Sequence, residues 1–134
     1  MKKITKVIKA LVAQYTSGVN FPMTVKDINN GMCEYFAQGV ADEVEGAKVY
    51  WGDELTTDFW DIKLRFWVEN HAFGHCFIFF EDKFYDSEAP EGVDHPKQLP
   101  FYIRRLEYAL EHYGESDDEL MARVERENPD NCYD

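Results

Sequence analysis

Three residues in this sequence have the types and the order of a nucleophile, a base and an orienting carboxylate: Cys33, His75 and Asp86. Cys33 follows a loop rich in Asn and Gly and opens an apolar helical pattern, so we expect it in the first turn of a helix. Free backbone N–H groups and the positive helix end favour a thiolate there and can bind a developing oxyanion. In this scheme His75 takes the thiol proton, and Asp86 fixes the imidazole tautomer. The thiolate then attacks a carbonyl carbon and forms an acyl-enzyme.

Each of these residues also has a purely structural interpretation. Cys33 could be a small buried residue on the apolar face of its helix. His75 could be a hydrogen-bonded residue at the edge of a strand. Asp86 could cap a turn, although a carboxylate between two aromatic residues would be costly to bury without a partner.

A metal site is a further interpretation, built from Cys33, His71, Cys76 and a carboxylate. His75 and Cys76 are adjacent in a predicted strand, so their side chains point to opposite faces. The sequence also has no paired-ligand spacing of the kind that zinc sites show. We therefore expect no metal and no cofactor.

The geometry of the three residues depends on a predicted hairpin. The apolar run 75–80 and the extended run 84–88 flank a polar break. If residues 81–82 form a two-residue turn, His75 and Asp86 are diagonal neighbours on one sheet face. Their Cα atoms then lie roughly 7–8 Å apart, within reach of both side chains.

A different hairpin register would separate the two residues. A turn at residues 82–83 would place Phe79 opposite Asp86 and move His75 out of reach. Glu88, which lies opposite His75 in the favoured register, is the second candidate for the orienting group.

Hydrophobic periodicity predicts the elements that carry these residues. We expect a helix over 4–15, a loop over 18–31, and a second helix from about Met32 to Gly46 with Asn29 or Asn30 as N-cap. The remaining patterns predict strands at 48–51 and 62–68, a turn at 70–74, the hairpin, a Pro/Gly loop over 89–96, a helix over 99–113 and a short helix from Ser116. This layout is that of an α+β protein with one domain over residues 1–134.

Composition and charge exclude several functions. The chain is 45% hydrophobic and 16% aromatic, enough for a packed core rather than disorder. No window approaches the roughly 18 apolar residues that a membrane span needs. With 14 basic and 26 acidic residues, the net charge is −12. Phosphate backbones and anionic membranes repel such a surface, so we expect neither direct nucleic-acid binding nor membrane binding.

The cysteines indicate a reducing environment. Cys33, Cys76 and Cys132 are odd in number and form no CxxC pair, so a disulfide framework is not expected. Lysines interrupt the first 14 residues, which therefore do not have the pattern of a signal peptide. A cytoplasmic location fits both observations.

Two stretches resemble a known superfamily. NGMCEYFA (30–37) is similar to the nucleophile helix of papain-like and transglutaminase-like cysteine hydrolases, which include cell-wall amidases. GHCFIFFEDKFYDSEAPEGV (74–93) is similar to the His and Asp strands that follow. The resemblance is strongest to small phage and bacterial members. It implies a catalytic-like core over 29–93; the C-terminal helices over 97–127 follow from the hydrophobic pattern.

The resemblance also implies roles for particular residues. It makes Cys33, His75 and Asp86 the catalytic triad, with Asn30, or else Asn29, as a donor to the oxyanion. Asp27 replaces the papain-type glutamine, where it would repel an oxyanion, and Glu34 replaces the transglutaminase-type tryptophan.

Two functions follow from these observations. The first is a cysteine-dependent peptidase, amidase or deamidase that acts on an amide or thioester bond of a protein or peptide. The alternative is a non-enzymatic, phage-type inhibitor, whose acidity would imitate nucleic acid and bind a basic protein surface.

Overall fold

The computed structural model describes residues 1–18, 23–52 and 74–113. The helices are α1 (Lys3–Tyr15), α2 (Val25–Asn29), α3 (Cys33–Glu43) and α4 (Pro100–Tyr113). The strands are β1 (Lys48–Trp51), β2 (Cys76–Phe80), β3 (Lys83–Asp86) and β4 (Ala89–Val93), and a 3-10 turn spans Pro96–Gln98. The four strands form an antiparallel sheet in the order β1-β2-β3-β4, which confirms the predicted α+β class.

Several predictions fall on residues outside the described ranges. These are the strand at 62–68, the turn at 70–74 except for Gly74, and the helix from Ser116. The residues His71 and Cys132 also lie outside these ranges. Among the described helices, none is both long and apolar enough to cross a bilayer.

The core lies between the sheet and two helices. α3 packs on β1 and β2, and α1 lies across α3 and β4. Ile8 of α1, Phe36 and Val40 of α3, and Ile78 of β2 are each 1% exposed or less. Each such side chain stabilises the fold by roughly 1.5–3 kcal/mol relative to its exposed state. This packing fixes the position of the first turn of α3 against β2.

The hairpin between β2 and β3 has the register that places His75 and Asp86 on one face. Phe80 pairs with Lys83, and Phe79 pairs with Phe84 rather than with Asp86. The turn residues Glu81 and Asp82 have φ angles of 49° and 64°. Positive φ at both positions matches the type I′ turn, whose twist suits a two-residue hairpin.

The prediction of a loop over 89–96 was wrong for its first half, which forms β4. Asp86 pairs with Ala89 across a two-residue turn, and Val93 pairs with Phe84. In the described sheet β4 is an edge strand, and an edge tolerates Pro90 because its missing N–H is not needed by a further strand.

The predicted loop over 18–31 was also partly wrong, because it contains α2. Thr24 and Asp27 form a reciprocal capping box: the Asp27 N–H donates to Thr24 Oγ1 at 3.1 Å, and the Thr24 N–H donates to Asp27 Oδ2 at 2.9 Å. This box stabilises the start of α2. Asp27 is therefore an exposed capping residue.

The predicted ends of α3 need correction as well. Its N-cap is Met32 rather than Asn29 or Asn30, and Met32 makes no side-chain cap hydrogen bond. Asn29 belongs to α2, and Asn30 is the C-cap of that helix. The helix ends at Glu43, before Gly46, which has a φ of 90° in the turn that leads to β1.

Replacing Gly92 with alanine should destabilise the fold by about 2–4 kcal/mol. Gly92 has a φ of 84°, and a Cβ atom there would lie 2.8 Å from the ring of the fully buried Tyr85. Urea denaturation followed by circular dichroism measures the change in the free energy of unfolding.

Gly31→Ala is the matched control, since a Cβ atom at Gly31 meets nothing within 4 Å. Its free energy of unfolding should stay within about 1 kcal/mol of the wild-type value. Equal losses in the two variants would contradict the close packing of Gly92 on Tyr85.

Candidate active site

A buried hydrogen bond joins His75 to Asp86. The His75 Nε2 atom lies 2.9 Å from Asp86 Oδ2, and the two side chains are 0% and 2% exposed. The second carboxylate oxygen, Oδ1, accepts the backbone N–H of Glu88 at 2.9 Å. Both oxygens of Asp86 are therefore engaged, which holds the carboxylate in one orientation.

The main chain at His75 is held against the end of β1. Its carbonyl accepts the N–H of Gly52 at 3.0 Å, and Cys76, the next residue, begins β2 and pairs with Trp51. The imidazole thus projects from the start of a strand that is hydrogen-bonded to β1.

Cys33 is the first residue of α3 and is half-buried. Because Asp86 occupies Nε2, Nδ1 is the ring nitrogen left to interact with the Cys33 thiol. Nδ1 is buried and has no conventional hydrogen-bond partner among the described residues. The two groups lie close enough that each changes the pKa of the other.

The surroundings favour the charged forms of both groups. Burial raises the pKa of the Cys33 thiol, but its interactions with His75 and with the backbone of Cys76 outweigh burial, and the pKa lies below its usual value. Burial lowers the pKa of His75, but the hydrogen bond with Asp86 and the interactions with Cys33 outweigh burial, and the pKa lies above its usual value. Both shifts are thus in the direction of the charged forms, a thiolate at Cys33 and an imidazolium at His75.

Aromatic side chains enclose the imidazole. The ring of Phe101 stacks on His75 with centroids 4.3 Å apart and an interplanar angle of 17°. Tyr102 contacts the imidazole edge-on at 5.7 Å, and Phe77 lies at 6.1 Å. These contacts exclude water from the ring, which strengthens its interaction with Asp86.

The first turn of α3 keeps backbone donors for a ligand. The N-cap Met32 makes no side-chain cap hydrogen bond, and the N–H of Glu34 already acts on the Cys33 sulfur. Uncapped N–H groups at the start of a helix can bind an oxyanion. Among these donors, the N–H of Cys33 belongs to the same residue as the thiol.

The two asparagines before Cys33 differ in their surroundings. Both border the cleft described below, but Asn30 is exposed, whereas Asn29 is 3% exposed. Asn29 Nδ2 donates to Glu88 Oε1 at 3.0 Å. Since a carboxylate only accepts hydrogen bonds, this contact fixes the orientation of the Asn29 amide. Its Oδ1 atom has no partner in the described part of the chain.

Glu88 supports the site rather than orienting His75. Arg104 of α4 donates two hydrogen bonds of 2.7 Å to the Glu88 carboxylate, one from each terminal nitrogen. Hydrogen bonding from Arg104 lowers the pKa of Glu88, and Asn29 adds to this effect. Glu88, the second candidate for the orienting group, thus links the β3–β4 turn to α2 and α4.

A cleft of about 250 Å³ opens beside the Cys33 thiol. Its lining residues come from the α2–α3 connection, β1, the approach to β2 and α4. They are Asn29, Asn30, Gly31, Cys33, Trp51, Gly74, Phe101 and Arg105. A small carbonyl compound can reach the sulfur through this cleft.

The structure thus brings together the three residues that the sequence analysis selected, and it places Asn30 at the same cleft. Sequence reasoning missed the contributions of α4, namely Phe101 and Arg105. The i, i+4 spacing of these two residues was the available signal, because such residues lie on one helix face. Within the described ranges, no group of three His, Cys, Asp or Glu side chains is arranged to hold a metal ion.

No family model matches the chain, and neither a curated protein nor a solved structure is significantly similar to it.

Replacing His75 with alanine should move the pH profile of Cys33 alkylation by iodoacetamide to higher pH. The imidazole lowers the pKa of the thiol, so its loss returns the thiol towards ordinary behaviour. The labelling rate near neutral pH should fall roughly tenfold, since an ordinary thiol is only a few per cent ionised there. Peptide mass mapping identifies the alkylated cysteine.

Asp86→Asn, nearly isosteric, should shift the same profile in the same direction. His95→Ala is the matched control, because His95 caps the 3-10 turn through the Lys97 N–H and lies outside the triad. If the pH profile of His75→Ala were the same as that of the wild type, this result would contradict the thiolate–imidazolium pair.

Glu88→Gln should lower the free energy of unfolding by about 1–2 kcal/mol at neutral pH, because it breaks the charged pair with Arg104. The pKa of Glu88 is lowered in the folded state, so this contribution is complete above the usual glutamate pKa. It is lost as pH falls through the lowered value. Denaturation of both proteins across that acid range measures the difference.

Glu91→Gln is the control for this comparison. Glu91 is 72% exposed in a 3.4 Å pair with Lys9, and such surface pairs contribute little. A pH-independent loss in Glu88→Gln would show that packing, not charge, accounts for the effect.

Proposed function

We propose that this protein is a cysteine hydrolase that cleaves amide or thioester bonds of a peptide or protein through Cys33, His75 and Asp86. The observation that carries the proposal is the arrangement of thiol, imidazole and carboxylate in one row at the edge of a cleft. The buried structural interpretation of Cys33 fits this arrangement poorly, since its thiol interacts with a polar ring and borders an open space.

In the first half of the reaction the Cys33 thiolate attacks the substrate carbonyl carbon. A C–S bond forms, and the carbonyl electron pair moves to oxygen, where the N–H of Cys33 and the side chain of Asn30 are the proposed donors. The intermediate collapses, and the bond to the leaving nitrogen or sulfur breaks. The leaving group takes the proton from His75 Nδ1, which leaves an acyl thioester on Cys33.

In the second half water replaces the leaving group. His75 Nδ1 accepts a proton from water as its oxygen attacks the thioester carbonyl. The C–S bond then breaks, which releases a carboxylic acid and restores the thiolate beside the imidazolium. Asp86 keeps Nδ1 directed at the sulfur in both halves, because its bond to Nε2 fixes the tautomer and the ring orientation.

The fold is consistent with a papain-like or transglutaminase-like core. A helix that begins at the cysteine packs on an antiparallel sheet, in which the histidine directly precedes β2 and the aspartate ends β3. A reducing compartment such as the cytoplasm would keep the nucleophile as a thiol.

Hydrolysis of p-nitrophenyl acetate tests the proposed function. We expect a burst of p-nitrophenol, one acetyl group on the peptide that contains Cys33, and then its removal during steady turnover. Cys33→Ser should abolish both phases, and His75→Ala should slow turnover by about a hundredfold or more.

Cys132→Ser is the matched cysteine control and should retain both phases. An acetyl group that stays on Cys33 would contradict a hydrolase. So would acetylation at the rate of glutathione, because that rate requires no assistance from His75.

A further inference from the structure

Arg105 is the charged side chain that borders the cleft, and the described lining contains no carboxylate. Its guanidinium carbon lies 5.2 Å from the centroid of the Phe101 ring, in a cation–π contact. In the described part of the chain Arg105 forms no ion pair, although the protein carries a net charge of −12. A cation that has no carboxylate partner within residues 1–18, 23–52 and 74–113, and that lies beside the proposed nucleophile, is available to a ligand.

We infer that Arg105 binds a carboxylate of the substrate, so that the preferred substrates are acidic amides or thioesters. This inference rests on the proposed function, because it concerns the cleft over Cys33. A guanidinium presents two parallel N–H donors that match the two oxygens of a carboxylate. The cleft of about 250 Å³ is smaller than the roughly 300–1,000 Å³ of typical ligand pockets. A cleft of this size favours a carboxylate that lies within a few bonds of the carbonyl that is cleaved.

The packing of α4 links this charge to the catalytic base. Phe101 stacks on the His75 imidazole and contacts the Arg105 guanidinium from four residues earlier in the same helix. One aromatic ring thus positions both the base and the cation. A single guanidinium suits a singly charged carboxylate, whereas the overall negative charge of the protein disfavours a dianionic phosphate ester.

Alkylation of Cys33 by two matched reagents tests this inference. Iodoacetate and iodoacetamide react by the same displacement of iodide and differ in a carboxylate against a carboxamide. The measured quantity is the rate of Cys33 alkylation by iodoacetate divided by the rate with iodoacetamide. A change in the thiolate fraction alters both rates equally and cancels in this ratio. Arg105→Gln should lower this ratio about three- to tenfold relative to the wild type.

Two further variants separate charge from other effects. Arg105→Lys keeps the charge and should retain more of the ratio than Arg105→Gln. Lys6→Gln removes the same charge from an exposed position on α1 outside the cleft and should leave the ratio unchanged. About 1 M salt should reduce the wild-type ratio, because it screens charges beyond about 3 Å.

The outcomes distinguish this inference from the proposed function. If Cys33 reacts rapidly with iodoacetamide but Arg105→Gln and Lys6→Gln give the wild-type ratio, the acidic-substrate inference is overturned and the nucleophile stands. If Cys33 reacts with neither reagent, both the proposed function and the inference fail.

Discussion

The candidate site depends on one buried hydrogen bond, between His75 Nε2 and Asp86 Oδ2. Without the carboxylate, burial among aromatic rings would lower the pKa of the imidazole, and no hydrogen bond would hold Nε2. With it, the ring has a fixed orientation and a raised pKa, and its other nitrogen is left for the thiol. The lowered pKa of Cys33 therefore depends in part on a contact made on the far side of the histidine.

That contact exists because two short turns set the position of β3. The turn at Glu81 and Asp82 fixes the register against β2, and the next turn carries Glu88, whose N–H holds the second oxygen of Asp86. The hydroxyl of Ser87 in this turn donates to the carbonyl of Val25 at 3.0 Å. The sheet is thereby connected to α2, which precedes α3 and Cys33 in the chain.

How much of this arrangement could be predicted depended on whether a contact follows from a local sequence pattern or from tertiary packing. The polar break between two extended runs predicted the hairpin but left two registers open, so the juxtaposition of His75 and Asp86 was predicted for only one of them. The bidentate pair of Glu88 with Arg104 was not, because it joins a turn to a helix through tertiary packing. Strand β4 was missed for a related reason: Pro90 and Gly92 signal a loop unless the edge position of the strand is known.

The complete burial of His75 has a consequence for proton traffic. Its Nε2 atom is committed to Asp86, and Nδ1 has no exposed surface, so the ring has no direct contact with bulk water in this structure. In the proposed reaction, a proton taken from the sulfur would stay within the site until a departing fragment collects it. Isotope exchange between the imidazole and solvent should accordingly be slow compared with that of a surface histidine, and reagents that modify exposed imidazoles should leave this one intact.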